Sequence, residues 1–200
     1  MIDERANITG VVLAGGRGRR MGGADKGLLE YRGRPLVAYA LDALRPAAGT
    51  LLISANRNQE AYARFGVPVI ADRTDSFDGP LAGLLSAMQA TRTEYVLTVP
   101  CDSPLVNGEV LRRPHAKLLD EGADVCAAHD GERMHPVFLI ARRSLAPDLE
   151  AYLATGQRKV ETWLTSHKLA LADFSDHPEW FANINTPEDL AEWQDNSKQG

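Results

Sequence analysis

The sequence has little cysteine: only Cys101 and Cys126 occur among 200 residues, and neither belongs to a Cys-x-x-Cys pair. Two cysteines are too few for a disulfide framework in a chain of this size, so a cytoplasmic location is expected. The histidines form no His-Glu-x-x-His motif, which leaves a structural zinc site without support. No apolar run approaches the ~18 residues that a membrane span needs. The charged start, MIDERANITG, lacks the apolar core of a signal peptide.

A basic excess is also missing. The chain carries 22 Lys and Arg against 27 Asp and Glu, for a formal charge of −5. This balance argues against a broad nucleic-acid or anionic-membrane surface. Apolar residues make up 44% and charged residues 24%, which is typical of a folded globular domain. The length suits a single domain over residues 1–200, and residues 1–7 and 195–200 are expected to fray.

Hydrophobic periodicity predicts alternating strands and helices. Strands are predicted at 8–14, 50–54, 67–71, 95–99, 123–128, 136–140 and 169–174. Helices are predicted from Pro35, at 60–65, from Pro80, and at 108–121, 145–154, 159–167 and 186–193, with Pro114 expected to split the fourth. The nearly continuous apolar run at 8–14 is typical of a strand buried on both faces. The pattern predicts an α/β fold, a Rossmann-like three-layer sandwich with a mostly parallel sheet. In such folds ligands bind beyond the carboxyl ends of the strands.

A glycine-rich loop follows the first predicted strand. Residues 15–27 hold six glycines, three arginines and Lys26. Glycine lets backbone N–H groups approach an anion closely, and the cations add donors for phosphate oxygens. The loop matches neither a Walker A motif nor a GxGxxG fingerprint. We interpret it as a phosphate-binding loop, and the alternative is a surface loop of solvated charges.

Two aspartates follow other predicted strands. Asp102 comes directly after the strand at 95–99, where a carboxylate could hold Mg²⁺ together with substrate phosphates. The alternative is that Asp102 caps its own turn. Asp72 ends the strand at 67–71, with Arg73 beside it as a candidate ion-pair partner. His135 is interpreted as ordering a turn, with contact to substrate as the alternative. The three tryptophans are interpreted as packing residues, with stacking of one of them on a flat heterocyclic ligand as the alternative.

Six ordered segments resemble one known family. They are LAGG at 13–16, RMGG at 20–23, DKGL at 25–28, GPLAG at 79–83, PCDSP at 100–104 and NINTPEDL at 183–190. This set is similar to the molybdenum cofactor guanylyltransferases, which belong to the nucleotidyltransferases that use an NTP and release pyrophosphate. The resemblance covers nearly the whole chain and implies the nucleotidyltransferase type of fold.

The resemblance implies transfer of GMP from GTP to the terminal phosphate of molybdopterin. In the family LAGG accompanies guanine and LAAG accompanies cytosine, so Leu13-Ala14-Gly15-Gly16 favours GTP. The rival functions are a cytidylyltransferase on the same pterin, a sugar-phosphate nucleotidyltransferase, and a non-catalytic GTP-binding module. The implied partners are GTP and molybdopterin, with transient contacts to other cofactor-biosynthesis proteins and recipient molybdoenzymes, and without nucleic acid or membrane.

The resemblance also implies roles for particular residues. Catalysis is assigned to Lys26, Asp102 and Arg20, with Arg20 and Lys26 facing the triphosphate and Asp102 binding Mg²⁺ or Mn²⁺. Asp72 is placed at the guanosine edge, and Asn183, Asn185 and Arg158 on the pterin side. The family often has Asn where this chain has Ser54, which makes Asn56 a candidate substitute. The other residues implied in nucleotide binding are Leu13, Ala14, Gly15, Gly16, Gly23, Pro80 and Leu81.

The reaction itself makes few demands on a base. A phosphate monoester is mostly dianionic at neutral pH, because its second pKa is about 6. It needs charge neutralisation and in-line alignment rather than a strong general base. The sequence accordingly offers cations near the predicted strand ends and no obvious histidine base there.

Overall fold

The computed structural model describes residues 4–15, 25–72, 79–108 and 111–196. Its strands are β1 (Ile8–Leu13), β2 (Glu30–Tyr31), β3 (Arg34–Pro35), β4 (Thr50–Ser54), β5 (Val69–Ile70), β6 (Tyr95–Pro100), β7 (Val125–His129), β8 (Met134–Arg142) and β9 (Leu169–Asp173). Its helices are α1 (Leu36–Leu44), α2 (Gln59–Ala63), α3 (Pro80–Ala90), α4 (Arg112–Glu121), α5 (Ala146–Ala154), α6 (Val160–Thr165) and α7 (Pro187–Asn196). Short 3₁₀ turns occur at Glu4–Asn7, Lys26–Leu28, Arg143–Leu145 and Pro178–Phe181.

Among the described residues, seven strands form one sheet in the order β5-β4-β1-β6-β8-β7-β9. The pairs β5–β4, β4–β1, β1–β6 and β7–β9 are parallel. Strand β8 runs antiparallel to both β6 and β7. The predicted α/β fold with a mostly parallel sheet is therefore confirmed. Because β1, β4 and β6 point the same way, their carboxyl ends meet at one edge of the sheet.

Helices cover both faces of the sheet. Val12 of β1 packs in one core cluster with Leu41 of α1 and Leu118 of α4. Its neighbour Val11 packs on the other face with Leu84 of α3 and Trp163 of α6. Successive residues of a strand point to opposite faces, so a strand buried on both sides reads as a continuous apolar run. The prediction of three layers follows from the sequence of β1 and is confirmed.

The helix predicted at 108–121 differs from the structure in two ways. It begins at Arg112, and Pro114 does not split it. Pro114 lies in the first turn, where backbone N–H groups have no helical acceptor, so its missing N–H costs no helical hydrogen bond. The helix ends at Gly122, whose φ of +57° suits glycine.

The described parts of the two segments predicted to fray have regular secondary structure. Residues 4–7, predicted to fray, form a 3₁₀ turn, and the Arg5 carbonyl accepts a 2.7 Å hydrogen bond from the Gly49 N–H. Helix α7 continues through residues 195 and 196, which were also predicted to fray. Within the described ranges, the helices are too short or too polar to cross a membrane.

Candidate active site

The segments that follow β1, β4 and β6 begin side by side. The Ala14 N–H donates to the Ser54 carbonyl at 2.8 Å, and the Cys101 N–H donates to the Leu13 carbonyl at 3.2 Å. These bonds continue the sheet ladder past the last residues of the strands. They fix where the glycine-rich loop, the Asn56 segment and the Asp102 turn leave the sheet.

Lys26, Asp102 and Asn185 converge at this edge from distant parts of the chain. The Lys26 Nζ donates to Asp102 Oδ2 at 3.0 Å and to Asn185 Oδ1 at 2.8 Å. The side chains of Lys26 and Asp102 are 23% and 14% exposed, so the ion pair is mostly sheltered from water. We call these three residues the lysine cluster. It unites three residues that the sequence predicts for the site.

The second carboxylate oxygen of Asp102 has a different environment. Asp102 Oδ1 is buried and has no hydrogen-bond partner among the described residues. A buried carboxylate oxygen without a donor is costly unless a ligand or cation satisfies it. Asp102 therefore holds Lys26 with one oxygen and leaves the other without a donor among the described residues, which is not the geometry of a self-capped turn.

The segment at 183–186 is fastened to the Asp102 turn. The Ile184 N–H donates to the Asp102 carbonyl at 2.9 Å, and the Ser103 hydroxyl donates to Asn183 Oδ1. The predicted site residues Asn183 and Asn185 thus lie on either side of a main-chain link to Asp102. Ser103 belongs to the hydrogen-bonded surroundings of Asp102, although the sequence patterns did not single it out.

Asp189 holds the same segment from the other side. Its Oδ2 accepts the N–H groups of Asn185 at 2.8 Å and Thr186 at 3.0 Å, and its own N–H donates to the Thr186 hydroxyl at 3.1 Å. These backbone donors, Asn185 first, lower the pKa of Asp189. The arrangement is a reciprocal cap at the start of α7. Its signal is visible in the spacing of Thr186 and Asp189.

Asn56 and Asp72 form a second pair at this edge. Asn56 Nδ2 donates to Asp72 Oδ2 at 2.7 Å, and the Asp72 N–H donates to Asn56 Oδ1 at 2.8 Å. A Cβ added at Gly15 would lie 3.4 Å from Asn56 Nδ2, so Asn56 also adjoins the start of the glycine-rich loop. The candidate ion pair of Asp72 with Arg73 lies outside the described residues.

Ser54 occupies a different place from Asn56. Its side chain is buried, and its oxygen would lie 2.7 Å from a Cβ built on Gly83 of α3. Ser54 therefore packs beneath α3, whereas Asn56 stands at the strand-end edge beside Gly15. This placement favours Asn56 over Ser54 as the substitute for the asparagine that the family often has at position 54.

The remaining predicted residues divide into three groups. Leu13, Ala14 and Gly15 lie at the end of β1, and Pro80 and Leu81 begin α3, with the Leu81 side chain in the core. Gly16, Arg20 and Gly23 lie outside the described residues. Arg158 follows α5, where its Nη1 donates to the carbonyls of Leu153 and Gln157, each at 2.7 Å. Its role on the pterin side stays a prediction.

Two reactive-looking side chains near the edge have structural surroundings. Burial raises the pKa of the Cys101 thiol, and the adjacent Asp102 charge raises it further, so the thiol stays protonated. His135 lies on β8, its Nε2 is 2.6 Å from Asp130 Oδ2, and its ring stacks on Phe181. Cys101 is a buried packing residue, and His135 orders the β7–β8 hairpin.

The fold and site together define a class of protein. A mostly parallel sheet with Gly15, Lys26 and Asp102 at its carboxyl edge is typical of the α/β folds that bind nucleotides. Residues 10–171 match the family model described as the MobA-like NTP transferase domain. The chain therefore belongs to the MobA-like NTP transferases, which makes it a nucleotidyltransferase.

Named relatives and a solved structure agree with that family. The chain is 46% identical over 181 residues to a molybdenum cofactor guanylyltransferase of Shewanella sediminis, covering 90% of this chain and 92% of that one. It is 44% identical over 183 residues to the protein of the same name from Shewanella halifaxensis, covering 92% of each. The fold is similar to molybdopterin-guanine dinucleotide biosynthesis protein A from Archaeoglobus fulgidus, with a TM-score of 0.80 and 23% identity over 96% of this chain and 100% of that one.

Proposed function

We propose that this chain transfers GMP from GTP to the terminal phosphate of molybdopterin, yielding molybdopterin guanine dinucleotide and pyrophosphate. The observation that carries the proposal is the lysine cluster, in which Lys26 is held by Asp102 and Asn185 while Asp102 Oδ1 is unpartnered within the described ranges. The names of the Shewanella relatives support the same reaction.

In this reaction an oxygen of the acceptor phosphate forms a bond to the α-phosphorus of GTP. The bond from that phosphorus to the bridging oxygen breaks, and pyrophosphate leaves with the electron pair. The acceptor is mostly dianionic at neutral pH, since its second pKa is about 6, and needs no base. The difficulty is bringing two anions together and stabilising the charge on the leaving group.

Lys26 supplies a positive charge that offsets the repulsion between the two anions. Its ammonium lies at the strand-end edge, held at 2.8 Å by the neutral Asn185 side chain and at 3.0 Å by Asp102. The two acceptors limit the positions of the Nζ atom, so the charge is in place before the triphosphate binds. A charge already in place costs no reorganisation during the reaction, and it stabilises the transition state most where negative charge develops, which is on the leaving pyrophosphate.

The donor set also fits Mg²⁺. The described residues contain no group of three or more His, Cys, Asp or Glu side chains that could hold a metal by themselves. Mg²⁺ often takes one or two carboxylates and completes its shell with substrate phosphates and water, which suits Asp102 Oδ1 alone. When bound, Mg²⁺ neutralises phosphate charge and helps to align the reacting groups. Mn²⁺ accepts the same oxygen ligands and is the alternative metal.

The proposed nucleotide and setting follow from the loop and the composition. Leu13-Ala14-Gly15-Gly16 favours GTP over CTP, and the Asn56–Asp72 pair is assigned to the guanosine edge. The protein is proposed to act in the cytoplasm, without nucleic acid or membrane. Transient contacts with other cofactor-biosynthesis proteins and recipient molybdoenzymes complete the proposal.

The test measures pyrophosphate release with Mg²⁺, a molybdopterin acceptor and each NTP in turn. We expect release with GTP, and Asp102→Ala should lower its rate by about 10²-fold or more. Asp42→Ala is the control, because Asp42 on α1 is an exposed carboxylate paired with Arg34 and should leave the rate unchanged. Release with CTP instead would indicate a cytidylyltransferase. GTP binding without release under any condition would indicate a non-catalytic binding module.

A further inference from the structure

Lys26 is held at its ammonium by the lysine cluster, but its backbone is held by other residues. Asp25, the residue before it, has both carboxylate oxygens occupied. The Tyr62 hydroxyl donates to Asp25 Oδ1, and Asn58 Nδ2 donates to Asp25 Oδ2 at 3.0 Å. Asp25 thus directs both carboxylate oxygens toward Asn58 and Tyr62 of the α2 region.

Tyr62 also contacts the residue on the other side of Lys26. A Cβ added at Gly27 would overlap the Tyr62 hydroxyl oxygen and lie 3.1 Å from its Cε1 atom. The ring therefore lies against the bare α-carbon of Gly27. A side chain at position 27 would displace either the tyrosine or the turn. This close approach explains why glycine follows the lysine here.

The tyrosine is itself rigidly placed. Tyr62 is completely buried in the core cluster beneath α1 and β1. Burial raises the pKa of Tyr62 above its ordinary value, so the hydroxyl keeps its proton and remains a donor. Asn58 precedes α2 with a φ of +50°, a left-handed conformation that Asn tolerates, and this turns its amide toward Asp25.

We propose that Tyr62 is a positioning residue for Lys26, fixing the peptide on both sides of the lysine through the Asp25 carboxylate and the Gly27 α-carbon. The proposal rests on the role of Lys26 in the proposed function. A short 3₁₀ turn by itself offers few main-chain bonds, here Leu28 N–H to the Asp25 carbonyl and Leu29 N–H to the Lys26 carbonyl, each at 3.1 Å. The buried Tyr62 contacts Asp25 and Gly27 and so restricts the movement of this turn.

The variant that tests the proposal is Tyr62→Phe, which removes one oxygen and keeps the ring against Gly27. We expect kcat/KM for GTP-dependent pyrophosphate release to fall about 10-fold, since a hydrogen bond to a charged group is lost. In an Asp25→Ala background the same substitution should have no further effect, because the hydroxyl acts through that carboxylate. This non-additivity would not arise from a general loss of stability.

Tyr95→Phe is the matched control. Tyr95 is also a buried tyrosine, but its hydroxyl accepts a hydrogen bond from Arg142 Nη1 at 3.2 Å at the opposite edge of the sheet. It should lower Tm to a similar extent and leave kcat/KM unchanged. Equal losses of activity in the two variants would overturn the proposal. So would a folded Tyr62→Phe protein with the wild-type kcat/KM.

A second readout does not depend on activity. The rate at which an amine-reactive acylating reagent labels Lys26, followed by mass spectrometry without nucleotide, should rise in Tyr62→Phe and not in Tyr95→Phe. If wild-type protein releases no pyrophosphate, the proposed function fails, and the labelling still decides whether Tyr62 positions Lys26. Unchanged labelling would overturn the positioning role.

Asn58→Gly provides a test outside the core, in case Tyr62→Phe does not fold. It removes the other donor to Asp25 and keeps a residue that accepts the positive φ. We expect a smaller fall in kcat/KM, about threefold, and faster labelling of Lys26. Wild-type values for both would count against the proposal.

Discussion

Buried polar groups lie both where the parallel strands β1, β4 and β6 begin, which we call the amino edge, and where they end, which is the carboxyl edge. The hydrogen-bond partners of these groups differ between the two edges. At the amino edge the buried Thr9 hydroxyl lies 2.5 Å from that of Thr91 and 2.8 Å from that of Thr93. At the carboxyl edge Asp102 Oδ1 is buried with no partner in the described part of the chain. Polar groups that satisfy one another stabilise the fold, whereas one left unsatisfied is suited to a ligand.

The cations at the two edges, Arg142 and Lys26, differ in the same way. Arg142, the last residue of β8, donates to the Ala123 carbonyl at 3.1 Å and to Glu94 at 3.2 Å, and its guanidinium lies over the Tyr95 ring. Its cation is paired within the fold. Lys26, by contrast, is paired with an aspartate whose second oxygen has no partner among the described residues. The same residue classes are therefore fully paired at one edge and leave a buried carboxylate oxygen without a described donor at the other.

Position at the carboxyl edge is not sufficient for a role in the site. Asp130 follows β7 at that edge, and its Oδ1 accepts the N–H groups of Glu132 at 2.9 Å and Arg133 at 2.8 Å. Its Oδ2 is 2.6 Å from His135 Nε2. Both oxygens are satisfied locally, so Asp130 belongs with the structural groups of the amino edge rather than with Asp102.

The largest effect that would test this comparison is expected for Lys26→Met. The substitution keeps most of the unbranched side chain and removes its terminal ammonium, so the rate of pyrophosphate release should fall by about 10²-fold or more. Lys117→Met is the control, because the Lys117–Glu121 pair is an exposed ion pair on α4 and contributes little. A Lys26→Met protein with the wild-type rate would contradict the expectation that the carboxyl edge carries the reaction.

A smaller effect of a different kind is expected for Thr9→Val. The change preserves shape and removes the hydroxyl shared with Thr91 and Thr93, at a cost of about 1 kcal/mol in the free energy of unfolding. The rate of pyrophosphate release should be unchanged. Denaturant unfolding and steady-state kinetics measure the two quantities. A fall in rate without a loss of stability would show that the amino edge is not purely structural.

The smallest effect concerns the pH dependence of stability in Asp130→Asn. The Arg133 N–H, followed by His135, holds the pKa of Asp130 well below its ordinary value of 3.8. A carboxylate with a lowered pKa stabilises the fold above its unfolded pKa, and that contribution is lost as the pH falls toward the folded value. The Tm of Asp130→Asn should therefore be below that of the wild type at neutral pH. The difference in Tm between the two proteins should begin to shrink near pH 4 and become smaller as the pH falls further. A gap of constant size across this range would contradict the prediction.

Much of the fold was predictable because its signals are local. The apolar run of β1, and Pro80 opening α3 with Leu84 and Met88 on one face, are periodic patterns that need no distant partner. The prediction that Pro114 splits a helix was wrong because it also used only local information. The residue type is local, but its effect depends on where the helix begins, and that start is decided by packing.

The site was predictable only as a set of residues. Motif resemblance placed Lys26, Asp102 and Asn185 together, but the hydrogen bond between Lys26 and Asn185 joins residues 159 positions apart. No periodic pattern encodes such a contact. The choice between Ser54 and Asn56 likewise depends on the approach of α3 to β4, which buries Ser54 against Gly83.

By itself, the amino-acid sequence determined the alternation of strands and helices, the burial of β1 and the chemistry available at the strand ends. These depend on side-chain size, polarity and spacing, which act over a few residues. Only the tertiary structure decided that Asp25 faces Tyr62, and that Asp102 holds Lys26 with Oδ2 while its buried Oδ1 has no partner among the described residues. Hydrogen bonds are short and directional, so their partners are set by the packing of distant segments and not by order along the chain.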